Sequence, residues 1–188
     1  MKTILFFTTL FTLLPFAIPA AEAASLIEGS QSASVQVVIY GDIQCPFTKK
    51  VIGYLDQLEA DYGNRIGVQF SHFPLSFHAN AKPAAIAANC AGEQGEFAPF
   101  LKQAFAHQDR LGADFYQETA KAVGVRDLVA FSECLTSKAS ADAVDTEFAR
   151  GSSAGVNSTP TLFVNTEVMR GAYPYAELKV LIDKALKN

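Results

Sequence analysis

The sequence lacks a basic excess. Its 188 residues carry 15 Lys and Arg against 19 Asp and Glu, a formal net charge of −4. A protein that grips nucleic-acid phosphates regardless of sequence shows the opposite balance, so that class is set aside. Internal repeats and low-complexity tracts are missing too, which leaves one domain of ordinary size with room for an insertion. No His or Cys pair has the C-x-x-C or H-x-x-x-H spacing of a metal site. No Gly-rich phosphate loop occurs either: Gly151-Ser152-Ser153-Ala154-Gly155 reads as the end of a helix. Neither a metal nor a cofactor is therefore expected. Past residue 23 no hydrophobic run is long enough to span a bilayer. Cysteine is scarce and odd in number, with three residues. What remains, at 49% hydrophobic and 18% charged, is the composition of a folded globular chain.

The first residues read as an address. Lys2 is the only charge before Glu22, and the apolar stretch between them is broken by Thr8, Thr9 and Thr12. Pro19 precedes the small-residue run Ala20-Ala21-Glu22-Ala23-Ala24-Ser25, with Ala21 and Ala23 at the two small positions of an A-x-A cleavage site. Residues 1–23 are expected to be a signal peptide, and 24–188 the mature domain. The alternative is an uncleaved anchor, although a spanning helix needs about 20 apolar residues. Export implies a periplasmic or secreted protein, off the membrane once cleaved, in a compartment where disulfides persist.

Periodicity then gives the order of elements. Ser25 to Ser34 is polar and reads as loop. Val35 to Tyr40 is β-branched and nearly continuous, a buried strand. Pro46 opens a helix whose apolar face is Phe47, Val51, Tyr54, Leu55, Leu58 and Tyr62, ended by Gly63-Asn64. Ile66, Val68 and Phe70 alternate as a second strand, parallel to the first. From about 78 to 150 the pattern is helical throughout. Thr161–Val164 and Val168–Arg170 are short strands, and Tyr175, Leu178, Leu181, Ile182 and Ala185 mark a closing helix. The fold class is α/β, β–α–β then β–β–α, with an all-helical insertion between.

Two features suggest chemistry. Cys45 follows a strand and precedes Pro46, at a predicted helix N-terminus. Unpaired N–H groups and the helix dipole favour an anion there, which makes a thiol a better nucleophile. A buried structural cysteine fits the same place equally well. The second feature is Ser158-Thr159-Pro160-Thr161 at a strand start, where proline is tolerated in either the cis or the trans form.

Five stretches in order carry a resemblance. They are Gly41-Asp42-Ile43-Gln44-Cys45-Pro46-Phe47, His72-Phe73-Pro74-Leu75-Ser76-Phe77-His78, Cys90-Ala91-Gly92-Glu93-Gln94-Gly95, Gly155-Val156-Asn157-Ser158-Thr159-Pro160-Thr161 and Gly171-Ala172-Tyr173-Pro174-Tyr175. The chain resembles the DsbA-like thiol–disulfide oxidoreductases, which have a thioredoxin-like fold with an inserted helical domain. The resemblance implies that Cys45 is the nucleophile and that Pro46 and Phe47 stand between the family's two active-site cysteines. It also implies that Pro160 is the cis-proline facing the nucleophile, with Thr159 shaping the substrate contact. The departure is Thr48, where the family has its second cysteine. A hydroxyl cannot close a disulfide.

A monothiol can still attack a sulfur and form a mixed disulfide. Resolution must then come from a client thiol, from glutathione or from a resolving thiol protein. Thr48 sits three residues from Cys45, so its hydroxyl is a candidate donor to the thiolate; the alternative is a lost cysteine and a hydroxyl that only caps the helix. In an oxidising compartment Cys90 and Cys134, the pair left over, are expected to be bridged for structure, or else are two buried thiols. Asp42 and Gln44 precede the nucleophile, but an acid there opposes a thiolate. His72 reads as a strand-end residue, His78 as the opening of a helix and His107 as the end of one. Three functions follow. The first is exchange with unfolded or disulfide-containing exported proteins, as isomerase, small-thiol-coupled reductase or holdase. The second is a redox-inactive peptide-binding module or chaperone. The third is a glutathione-dependent transferase or isomerase.

Overall fold

The computed structural model describes residues 26–187. The expected signal segment, 1–23, lies outside the described residues. Strand β2 (Val35–Gly41) forms where the β-branched run predicts it, with alternate residues buried. It pairs in parallel with β3 (Ile66–His72), from Val35 opposite Ile66 to Gly41 opposite His72. Strand β4 (Thr161–Val164) runs antiparallel to β2, and β5 (Glu167–Arg170) antiparallel to β4. Together with β1 (Leu26–Gly29), they form a five-stranded mixed sheet in the order β1-β3-β2-β4-β5. This is the thioredoxin-like architecture that the resemblance implies.

Two local readings need correction. The polar stretch read as loop contains β1, antiparallel to β3. Only Leu26 and Ile27 are apolar there, too few for a periodic signal. The strand exists because the edge of β3 offers unpaired backbone groups and the core takes in Ile27. The helix expected from Pro46 to Tyr62 is also two helices, α1 (Pro46–Ile52) and α2 (Leu55–Tyr62). The ladder tightens at Tyr54, whose N–H bonds to the Val51 carbonyl three residues back. Gly53 sits at that break, as glycine commonly does at a helix kink.

Five helices lie between β3 and β4: α3 (Ala81–Gly92), α4 (Phe97–Ala106), α5 (Ala113–Val123), α6 (Leu128–Thr136) and α7 (Lys138–Ser153). Alanine covers the buried face of α3, at Ala81, Ala84, Ala85, Ala87, Ala88 and Ala91, so α4, α6 and α7 all approach it. Cys90 on α3 is bonded to Cys134 on α6, with their Cα atoms 5.8 Å apart. By chain entropy alone, a bridge over 44 residues contributes about 4 kcal/mol. Helix α7 packs on the end of β3. Its Glu147 carboxylate accepts the His72 N–H at 2.6 Å and the Ser71 hydroxyl at 3.3 Å. Gly151 lets the helix come in: a Cβ there would sit 2.8 Å from the rings of both Tyr40 and Phe73. Helix α8 (Tyr175–Ala185) closes the fold against β4. Bonds from Tyr175 and Lys179 to Asp61 and from Tyr62 to Asp183 pin α8 to α2.

His72 is the unusual core residue. Fully enclosed, it meets the rings of Phe70 and Phe97 edge-on, and neither ring nitrogen makes a hydrogen bond. Burial pushes its pKa below the ordinary 6.5, against the weaker pull of Glu147, Asn89 and Asp42. Below pH 6.5 the unfolded chain therefore binds a proton that the folded chain refuses, so stability falls as the pH drops. The His72→Leu variant should lose that dependence. Urea unfolding at pH 7.5, 6.5 and 5.5 should show the wild type losing stability relative to the variant on acidification, by up to about 1.4 kcal/mol per pH unit. Parallel curves would show that His72 does not titrate with folding.

Candidate active site around Cys45

The register brings three segments to one end of the sheet. β2 and β3 end level, at Gly41 and His72, and β4 starts at Thr161 opposite Tyr40. The loops that follow β2 and β3 and the loop that precedes β4 therefore meet. Cys45 lies in the first of them, as the N-cap of α1 with Pro46 in the first turn. It is the free cysteine among the described residues. Its sulfur is 3.5 Å from the Thr159 carbonyl, to which the thiol donates. The Thr159–Pro160 peptide bond is cis. Thr159 Oγ1 is buried and has no hydrogen-bond partner. Thr159 and Pro160 thus face the Cys45 thiol from the loop before β4, although 114 residues separate Cys45 from Thr159.

The side chains after Cys45 divide. Pro46 is exposed, and Phe47 is 63% exposed rather than on the buried helical face where periodicity put it. Thr48 is fully buried. Its oxygen accepts the Asp42 N–H at 3.4 Å, so the bond it makes runs back into the loop and not to the sulfur. Gly41 makes room for it, since a Cβ there would lie 2.6 Å from Thr48 Cγ2 and 2.5 Å from the Phe70 ring.

Asp42, an acid that would oppose a thiolate, has another task in the structure. Its carboxyl is wholly buried and accepts three hydrogen bonds: from Gln44 N–H at 2.7 Å, Leu75 N–H at 2.8 Å and His78 Nδ1 at 2.8 Å. It ties the Cys45 loop to the loop after β3. Gln44 adds a second tie, its Oε1 accepting from the Asn80 N–H at 2.8 Å. His78 is thus a loop residue ahead of α3, not the opening of that helix, whose N-cap is Asn80. Its neighbour Phe77 is 75% exposed. His107 caps the end of α4 and lies against Phe115, apart from these ties. The Asp42–His78 pairing escaped sequence reasoning because 36 residues separate the partners and no spacing rule joins them.

Among the described residues no group of three or more His, Cys, Asp or Glu is arranged to hold a metal. Likewise, no helix among them is long and apolar enough to cross a membrane. The site has a single thiol, a facing carbonyl and a threonine in place of a second thiol. A single thiol in such a loop cannot close a disulfide within that loop.

Comparison with known proteins follows the geometry. The thioredoxin family, by its sequence model, matches residues 22–184. Over 159 residues the chain is 33% identical to the Na(+)/H(+) antiporter NhaA 1 of Mycolicibacterium gilvum, matching 81% of this chain and 25% of that protein. It is 31% identical over 162 residues to the antiporter NhaA of Herminiimonas arsenicoxydans, with 86% and 26% covered. The chain thus spans about a quarter of the length of these curated relatives. Among solved structures, oxidised BdbD from Bacillus subtilis superimposes with a TM-score of 0.77 at 24% identity, covering 88% of this chain and 95% of that one. The thiol-disulfide exchange protein α-DsbA2 from Wolbachia pipientis gives 0.75 at 19%, with 88% and 90% covered. The catalytic domain of Proteus mirabilis ScsC gives 0.75 at 17%, with 90% and 94% covered. At these identities the likeness is one of fold.

The buried acceptor sets an expectation. Asp42→Asn keeps the shape but turns an NH₂ group toward donors that need an acceptor. It should destabilise the fold by about 1–3 kcal/mol and open the loop of residues 73–80 to protease. Unchanged denaturant midpoints and cleavage rates would show that the carboxyl does not hold the loops together.

Proposed function

The chain belongs to the thioredoxin family and shares the DsbA-like fold, and from that premise we propose that it is an exported thiol–disulfide exchange protein working with one nucleophile, Cys45. The observation that carries the reading is the thiol at the α1 N-cap, facing the Thr159 carbonyl across a cis-proline loop, with buried Thr48 where a partner thiol would stand. In the first step the Cys45 thiolate attacks one sulfur of a client disulfide. The new bond joins Cys45 to that sulfur, the old S–S bond breaks, and the second client sulfur leaves as a thiolate that takes a proton from water. A second thiolate, from the client, from glutathione or from a resolving protein, then attacks the mixed disulfide and releases Cys45. The cycle exchanges bonds without a net gain or loss of electrons when the client resolves itself; an external thiol that releases Cys45 stays bonded to the client sulfur, and the client is reduced only when a second external thiolate displaces it, leaving as a disulfide with the first.

The remaining roles follow. Thr159 and Pro160 align an extended client segment beside the sulfur, Thr159 Oγ1 being a polar atom still to be satisfied. Exposed Pro46 and Phe47 offer that segment an apolar rim. Thr48 accepts the Asp42 N–H, which leaves its hydroxyl hydrogen to be given to a Cys45 thiolate. Residues 1–23 serve as the export signal, residues 24–188 form the mature domain with a helical insertion over about 78–150, and the bridged Cys90 and Cys134 serve structure. A second reading has one observation behind it: Cys45 is only 4% exposed and spends its proton on a carbonyl, as a cysteine in a redox-inactive binding module would.

Glutathione disulfide separates the two. The non-reduced protein, mixed with it at pH 7.5, should gain one glutathione on the peptide that contains Cys45 and lose it again to added glutathione. Cys45→Ser should gain none. A Cys45 that stays unmodified in the folded protein, yet reacts once the chain is unfolded in urea, would overturn the exchange reading in favour of the binding module. Continuous turnover of a non-disulfide electrophile with glutathione would point to the transferase class instead.

A further inference from the structure

Cys45 has both its backbone polar groups tied. Its N–H donates to the Asp42 carbonyl at 3.0 Å, and its carbonyl accepts the Lys49 N–H at 3.1 Å, the first bond of α1. A second donor reaches the same carbonyl from far along the chain. Gln108 lies in the 3₁₀ turn (Gln108–Arg110) between α4 and α5. Its Nε2 is 2.6 Å from the Ile43 carbonyl oxygen and 3.1 Å from the Cys45 carbonyl oxygen. One amide nitrogen has two hydrogens, and here each has an acceptor, on the nucleophile and on the residue two before it. The same junction is tied the other way by Lys49 Nζ, 3.2 Å from the Ala106 carbonyl at the end of α4.

We infer that Gln108 is a positioning residue for the Cys45 nucleophile, through which the helices between β3 and β4 set the place of the sulfur. The inference rests on the exchange reading above and adds a residue to its site. The sulfur is one rotatable bond away from a backbone that Asp42, Lys49 and Gln108 hold from three sides. With its backbone pinned, the thiol meets Thr159 without searching. The amide also does electrostatic work. The oxygens of Ile43 and Cys45 are the negative ends of two peptide dipoles in the loop that carries the sulfur, and a donor shared between them offsets that charge. A side chain that only filled the space would do neither.

The choice of substitutions separates those possibilities. Q108L has similar bulk and no donor. Q108E has the same shape but directs a carboxylate at two carbonyl oxygens. Q117L removes a comparable amide from α5, where Gln117 bonds to the Ser132 hydroxyl, and serves as the control. Asp42, His78 and Lys49, the titratable groups that flank the loop, stay in place in all three. The readout is the rate at which Cys45 takes up glutathione from glutathione disulfide, followed from pH 6 to 9 with thermal unfolding beside it. Q108L should be slower by at least about tenfold at pH 7, part of the roughly hundredfold that a misplacement on the order of 1 Å costs a reacting group. Q108E should be slower still, with its pH profile moved to higher pH, while Q117L stays within about twofold of wild type, as a distant and independent site should. If Q108L does not fold, Q108N, whose amide is one methylene short of both carbonyls, takes its place. Wild-type rates in both Q108L and Q108E would overturn the inference alone. A slow Q108L with a wild-type Q108E would assign the role to shape and overturn it as well. A wild-type protein that takes up no glutathione would remove the exchange reading, and the inference with it.

Discussion

Strands β2 and β3 run parallel and end level, at the pairing of Gly41 with His72. Parallel strands cannot be joined by a tight turn, so the chain must travel away through α1 and α2 and return. It leaves through the Cys45 loop and, after β3, leaves again through the loop of residues 73–80. Both exits lie at the same end of the sheet. Antiparallel β4 begins at that end too, so the cis-proline loop arrives beside them. In open α/β sheets ligands bind beyond the carboxyl ends of parallel strands for this reason. Shift the β2–β3 register by one residue and every buried side chain of β2 turns to the wrong face, while the three loops lose their common level.

Loops that meet still need to be held. The structure uses polar side chains with more than one hydrogen-bonding atom. The Asp42 carboxyl takes three donors from two segments, and the Gln108 amide gives to two carbonyls. A buried acceptor with all its donors in place is far stronger than a surface pair, because water no longer competes for it. The helical block between β3 and β4 therefore touches the Cys45 backbone at defined atoms and is more than a cover for the sheet. Its own rigidity comes from alanine-lined α3 and from the Cys90–Cys134 bond between α3 and α6.

Much of the architecture was readable in advance. The β-branched run of Val35–Tyr40, the alternation of Ile66, Val68 and Phe70, and the apolar face of α8 carry their signals in a few consecutive residues. Where the local signal was short, the reading failed. β1 has two apolar residues and exists because β3 has a free edge. The split between α1 and α2 turns on a single bond at Tyr54. Phe47 matched the helical period and yet is 63% exposed, while Val51, one turn on in the same helix, is buried. At the site, the position of Cys45 after a strand and before a proline was visible in the chain. The tasks of Asp42, His78 and Gln108 were not, since each acts through a partner or a loop tens of residues away.

Sequence by itself determined the α/β order, the kinship with the DsbA-like proteins and the exclusion of a second thiol at residue 48. Those are properties of residue types and short-range periods, and they need no partner to be expressed. The tertiary structure decided which atoms surround the sulfur: the Thr159 carbonyl before it, Thr48 turned back into the loop, Asp42 and Gln108 holding the backbone beneath. The physical reason is that a hydrogen bond requires two groups within about 3 Å, and for these groups only the packing of the sheet against its helices brings the distant segments that close.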